Sequence, residues 1–403
     1  MRVKGILTTM VSLFLAGCGG GGSSSGNAST PLSSVSFSDP ALQACVSDSG
    51  ASNIENIEIL ECTGKGIKDL SGIEVLSSMY ILDVSGNELS SLDVSGMTNL
   101  ASIYANDNQL ENVALPASKS LQYLDLSDNL LTAIDVSSFP DLLLFDAGGN
   151  SLSAIDVSVN TKLEKLTLDD NGITNLDLSS NAQLKELNIN DNQITDLNLS
   201  SNTALISVLA FSNKIATFTE PNSNSLDSLF LSSNELAEFN LSQNTQVTQL
   251  ALSDNNLSSL DVSTLTNLDF LEISGNGVGN IDLSQNPLLE VLDVSGTAAT
   301  SLDVTNNPKI YSLLASNNQL TNIDVSGNPN LLWLSVSMNQ LTSVDLNNNP
   351  RLESFTGWSN QITSINFTSN PKIDSIQLIA NPLNDDTKQH LETLRSNGVT
   401  VSY

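Results

Sequence analysis

Residues Leu163–Gln183 read LEKLTLDDNGITNLDLSSNAQ, and the rest of the chain is built from copies of them. Numbered as a 21-residue template, the stretch has apolar residues at positions 1, 4, 6, 11, 14 and 16 and Asn at positions 9 and 19. Position 1 recurs every 21 residues from Leu100 through Leu121, Leu142 and Leu163 to Leu352 and Ile373, so no turn of the chain in that span has gained or lost a residue. A fixed period of this length marks a solenoid, in which one repeat cannot bury its own apolar face and stacks on its neighbours. Length therefore counts coils here, where in a globular chain it would count domains.

The template also contains itself. Shifted by ten, positions 1, 4, 6 and 9 fall on 11, 14, 16 and 19, which divides each coil into the halves LxxLxLxxN and LxxLDVSxN. Both halves hold a short alternating segment, such as Leu166 to Leu168 and Leu176 to Leu178, with apolar residues inward and the residue between them outward. The spacing predicts a strand on each face of every coil. The Asn residues fall where the coil turns, where a short amide bonds to backbone groups that would otherwise be buried unpaired.

These residues resemble the leucine-rich repeat family, whose core pattern LxxLxLxxN runs from about Ile57 to Asn381. The LDVSxN half is similar to the short bacterial subclass known as IRREKO, and Cys62–Leu76 (CTGKGIKDLSGIEVL) is similar to internalin-type repeats. The resemblance implies a β-rich curved solenoid that binds partners, usually proteins, on its concave strands. The partner itself is not implied.

Five segments follow: a lipoprotein signal peptide at 1–17, a flexible Gly/Ser tether at 18–36, an N-terminal cap at 37–56, the solenoid at 57–383 and a C-terminal cap at 384–403. Arg2 and Lys4 give the leader its positive start and Ile6 to Leu15 its apolar stretch, too short to span a bilayer. Leu15-Ala16-Gly17-Cys18 resembles the lipoprotein cleavage box, which makes Cys18 the expected lipid anchor and the only contact with a membrane. In a Gram-negative cell, Gly19 after that Cys points to the outer membrane, facing either the periplasm or the outside. The tether composition cannot order itself, and holds the solenoid some tens of ångströms off the bilayer at roughly 5–6 Å times the square root of its length.

Ser38–Ser49 reads as a capping helix with Ser38 or Asp39 as N-cap and Pro40 in the first turn. Cys45 on this helix and Cys62 at inward position 6 of the first coil form either a disulfide or two buried thiols; export favours the disulfide. At the other end Asn384-Asp385-Asp386 opens a helix over Thr387–Ser396, with Leu391 and Leu394 inward, and Val399–Val401 forms a last strand. His390, the single histidine, reads as a partly exposed surface residue of that helix.

Acidic residues outnumber basic ones 44 to 14, for a net charge of −30, which disfavours nucleic acid and anionic membranes as partners. On the back face, position 15 is a column of Asp93, Asp135, Asp156, Asp177, Asn198, Asn240, Asp261, Asp282, Asp303, Asp324 and Asp345. Weak calcium association would screen it, and so would a solvated ladder flanked by Ser at position 17. Two coils lack the LDVS segment and carry Pro116 and Pro221 at position 17, where the back-face strand is expected to break; Glu220 falls there at an inward position.

The front-face outward positions 3, 5 and 7 decide what binds. Most are Ser, Asp, Asn or Thr, but Leu209, Phe211, Phe230 and Phe270 form one apolar cluster, and Leu314, Trp333, Met338 and Trp358 a second on three successive coils. Exposed aromatics on neighbouring strands mark interfaces, so these eight are the candidate contacts for a protein partner, or a glycan. Nothing points to catalysis. No nucleophile pairs with the lone His, no Cys/His cluster suits zinc, no Gly loop beside a Lys cradles phosphate, and the many carboxylates lie on open strands. No cofactor or resident metal is expected. A binding module, an adaptor for other envelope proteins and a structural envelope component remain the three functional classes.

Overall fold

The structure, a computed structural model, describes residues 29–403. Cys18, the signal peptide and the first part of the tether lie outside the described residues. From Ile59–Glu61 to Thr400–Ser402, 17 three-residue strands form one parallel sheet along the length of the molecule. From Ile81 to Ser375 each strand pairs with the residue 21 positions on, as in Lys165↔Glu186 and Trp333↔Ser354. The sequence period is thus the hydrogen-bond register. Positions 1, 4 and 6 are shut off from solvent, as Leu163, Leu166 and Leu168 show, and adjacent coils join them into one continuous core. Position 14 is less enclosed: Ile134, Ile155 and Leu176 are only partly buried.

The two Asn columns prove chemically different. At position 9, Asn171 Nδ2 donates to the carbonyls of Ala147, Leu168 and Asp169, while its Oδ1 accepts from Leu152 N–H at 2.8 Å. The same four-bond arrangement recurs at Asn129, Asn192, Asn234 and Asn339. At position 19 only the amide nitrogen is used. Asn181 Nδ2 donates to Val157 and Asn160 carbonyls, both at 3.0 Å, and the Oδ1 atoms of nine such Asn residues are buried with no partner among the described residues.

The back face corrects the expectation of a strand in every coil. It holds two short ladders, Ser91–Asp93 with Asn112–Ala114 and Asp196–Asn198 with Thr217–Thr219, and one bridge between Asp303 and Asp324. Both ladders end on the very coils where a break was expected. There the facing position-15 residue is Ala114 or Thr219, but charge alone does not decide the pairing, since the one further bridge joins Asp303 to Asp324. Glu220 also mends the column it interrupts: its carboxylate accepts from Gln243 N–H at 3.1 Å and from Asn244 Nδ2 at 2.8 Å.

Both ends are covered. Helix α1 (Pro40–Asp48) is capped by Asp39, whose Oδ1 accepts from Ala41 and Leu42 N–H, while Oδ2 accepts from Lys68 and Asp69 N–H of the first coil. Burial pushes that carboxyl up in pKa, but the four backbone donors prevail and hold it below its ordinary value. A Cys45–Cys62 disulfide with Cα atoms 5.8 Å apart ties the helix to the first coil. Residues 30–36, taken from sequence as part of the tether, are seated on the cap: Leu32 is buried and Pro31 bridges Asn53. Helix α2 (Asp385–Ser396) covers the far end, capped by Asn384 Oδ1 on Thr387 N–H at 2.8 Å. His390 is partly exposed, as expected, and also makes a specific contact. Its Nε2 accepts from Phe367 N–H at 3.2 Å and its ring stacks on Phe367, closing the last coil.

Candidate ligand-binding face

Because positions 4 and 6 point inward and 3, 5 and 7 outward, the sheet displays one row of side chains per coil, and its chemistry changes along the solenoid. The N-terminal coils are acidic. Asp125 and Asp146 are register partners on adjacent strands. Burial first, then the charge of Asp125, drives the Asp146 carboxyl up to about 7, and burial likewise raises Asp125. On the back face the opposite holds. Asp135, Asp156 and Asp177 accept from the hydroxyl and N–H of the Ser two residues on, which keeps them below the ordinary carboxylate range. Those hydrogen bonds engage the back column without a cation, and among the described residues no group of three or more His, Cys, Asp or Glu side chains is placed to hold a metal ion.

The middle coils carry the first aromatic cluster. Leu209 and Phe230 are register partners, and the Phe230 and Phe270 rings meet edge to face, 6.2 Å apart, reaching across the coil whose outward residue is the buried Ala251. Phe211 is 37% exposed on the same coil as Leu209, and Ile206, which the sequence pattern did not single out, is 43% exposed beside them. Leu209, Phe230 and Phe270 thus adjoin one another, with Phe211 two residues beyond Leu209 and Ile206 three residues before it on the same coil. Ile206 was missed because position 2 lies at the entrance to the strand, outside the alternation that defines outward residues.

The second cluster resolves differently. Trp333 stands at the start of its strand, 44% exposed, with Tyr311 edge-on at 5.8 Å. Trp358 lies past the end of the next strand, 38% exposed, with Met338 on one side and Ile379 on the other, their backbones joined by Met338 N–H to Trp358 O and Ser359 N–H to Ile379 O. Positions 3 and 7 are four residues apart and stand at opposite ends of the outward row, one at the start of the strand and the other beyond its end. The expectation of a single apolar patch is therefore corrected: the position-5 row of Leu314, Ser335 and Thr356 runs between the two tryptophans, and Ser354 is the register partner of Trp333. Tyr311 and Ile379 are the residues that sequence reasoning overlooked here.

The Leucine Rich Repeat family matches residues 120–142. InlJ of Listeria monocytogenes, whose functional domain includes a cysteine ladder, is 30% identical over 87% of this chain and 82% of its own, with a TM-score of 0.80. Two further solved structures share the fold: a leucine-rich repeat protein of Leptospira interrogans (23% identity, 87% of this chain and 97% of that one, TM-score 0.76) and YopM of Yersinia enterocolitica (22%, 86% and 90%, 0.63). No curated protein matches the chain. The two cysteines among the described residues are joined to each other, so the columns that tie coil to coil here are Asn.

Proposed function

We propose, because this chain belongs to the leucine-rich repeat family, that it is a non-catalytic recognition module of the bacterial cell envelope, which grips a protein partner on its sheet face and is held to the outer membrane through a lipidated Cys18. The apolar cluster of Leu209, Phe211, Phe230 and Phe270 carries this reading. Aromatics at these outward positions leave the core unchanged, yet they lie together on a sheet face flanked by acidic coils. Buried aromatic anchors of this kind dominate the energetics of protein interfaces. The acidic coils on the N-terminal side favour a partner with basic residues beside its apolar anchor and suppress anionic ones.

The test uses the full chain with the leader intact. A retained partner is eluted and identified from wild-type protein and from the Phe211→Ala/Phe230→Ala double variant, and its affinity for each is measured by calorimetry. The double variant is expected to bind at least tenfold more weakly; equal affinity overturns the assignment of this surface. Metabolic labelling with palmitate tests the anchor independently, and label that persists in Cys18→Ser rules it out.

A further inference from the structure

We propose that the four coils from Ile310 to the C-terminal cap form a separate subsite that takes a neutral saccharide chain between Trp333 and Trp358. The first observation is charge. In a chain of net −30, none of the outward residues at positions 3, 5, 7 and 8 of these four coils is Asp, Glu, Lys or Arg. Over these positions a charged ligand would lose water without gaining a counter-charge, and at their edge Glu353 and Asp374, at position 2, repel an anion, whereas a neutral ligand is not penalised.

The second observation is the arrangement of walls and floor. The two tryptophans leave opposite ends of the outward row, Trp333 at the start of its strand and Trp358 past the end of the next, and the position-5 residues between them are Ser335 and Thr356, with Ser354 beside Trp333. A pyranose ring presents C–H faces, which stack on indoles, and a rim of hydroxyls, which pair with Ser and Thr. The third is Ser337, one coil before Trp358 in the same position-7 column. It is 1% exposed and its Oγ makes no hydrogen bond among the described residues, although its N–H is donated to Ser316 Oγ at 3.2 Å. A buried hydroxyl left unpaired is unfavourable, and a ligand hydroxyl would relieve that deficit once the side chains over it shift to open a path to the oxygen.

The same geometry argues against a polypeptide here. A peptide strand adds at a sheet edge, and every strand of this subsite already has a neighbour on both sides. An apolar protein knob needs a continuous seat, and the hydroxyl floor interrupts this one.

The chain contains only two tryptophans, and both are at this site, so intrinsic fluorescence of the full chain reports occupancy directly. Maltohexaose, cellohexaose, mannohexaose and chitohexaose are titrated to 10 mM. At least one is expected to change the emission saturably. Calorimetry with that sugar should then show at least tenfold weaker binding for Trp333→Ala and for Ser335→Asp, the latter keeping both indoles while charging the floor, and unchanged binding for Phe211→Ala. No saturable change with any of the four sugars overturns the proposal, as does equal sugar affinity in Ser335→Asp. Tighter competition at this site by an uncharged apolar peptide would reassign it to protein recognition.

Discussion

The two Asn columns allow a stability test in which composition, coil and volume change are all held fixed. Asn192 and Asn202 occupy positions 9 and 19 of one coil, both are buried, and truncation to Ala removes the same atoms from each, so the cavity contributions nearly cancel. Asn192→Ala deletes three donated bonds, to Leu168, Ile189 and Asn190 carbonyls, and one accepted from Ile173 N–H. Each carbonyl keeps another donor: Asn171, Asn213 and Asp170 N–H respectively. Ile173 N–H keeps none. An orphaned buried donor costs about 1–3 kcal/mol and the remaining lost bonds add about 1–2 kcal/mol together, for a total of about 2–5 kcal/mol before the cavity. Asn202→Ala deletes two donated bonds, to Leu178 and Asn181 carbonyls, which retain Asn181 N–H and Leu184 N–H. It also removes a buried Oδ1 that had no partner. A loss of about 1 kcal/mol for two bonds on the same scale is then offset by about 1–3 kcal/mol of relieved desolvation, leaving a net cost at or just below zero. Urea unfolding followed by circular dichroism should place the two variants about 3 kcal/mol apart, with hydrogen exchange at the Ile173 amide accelerated only in Asn192→Ala. A difference below about 1 kcal/mol, or an Asn202 variant that is the less stable of the two, refutes the reasoning from hydrogen-bond satisfaction.

Three further outcomes are expected. The folded pKa of Asp146 lies near 7 against an ordinary 3.8, so between those values the unfolded chain releases a proton that the fold retains; stability falls as pH rises through that window and levels off above it. Thermal melts of wild type and Asp146→Asn from pH 4 to 8 should show a smaller decline in the variant. Replacing Cys45 and Cys62 by Ser opens a loop with a sequence separation of 17 and should cost about 3 kcal/mol, seen as faster exchange at Ile59–Glu61 while the coils beyond Leu205 are untouched. His390→Ala removes the acceptor for Phe367 N–H and the ring stacked on Phe367, so that amide should lose protection by roughly the tenfold that about 1.4 kcal/mol implies, without change at the N-terminal cap.

Most of the fold was legible because a 21-residue period leaves one solution: identical coils stacked so that Leu163, Leu184 and Leu205 fall into line. The caps were legible for a local reason, since Asp39 before Pro40 and Asn384 before an acidic turn satisfy helix N-termini whatever surrounds them. What the sequence did not show depends on the relation between neighbouring coils. Asn at positions 9 and 19 looks equivalent in one dimension, yet only the first column has a backbone N–H of the preceding coil within reach of Oδ1. Pro116 and Pro221 suggested broken strands, whereas each of those coils pairs with the coil before it and the Asp-rich coils show a single bridge. The tryptophans were placed on the correct coils but merged into one patch, because the period gives the coil and not the lateral distance between positions 3 and 7. His390 is partly exposed as expected, but its contact was hidden for the same reason. Its partner, Phe367, belongs to a different repeat.

The contrast along the sheet face bears on why these outward residues are present at all. Lys165, Phe270 and Trp333 occupy the same repeat position in the same hydrogen-bond register, so the fold accepts a cation, a phenyl ring or an indole there with no change of backbone. Stability cannot then be what selects among them. It is not served by the acidic coils, where a carboxylate held near neutrality is destabilising as pH rises. Nor is it served at the other end, where Trp333, Met338 and Ile379 are 44%, 45% and 55% exposed and gain nothing from the core. Solubility would favour charge at these positions, as it does on the back face, where the position-15 Asp column repeats with little variation. An outward surface that changes from acidic to aromatic to hydroxyl-lined over one uniform scaffold has to be shaped by what it touches, and each zone should therefore lose binding independently of the others when it alone is substituted.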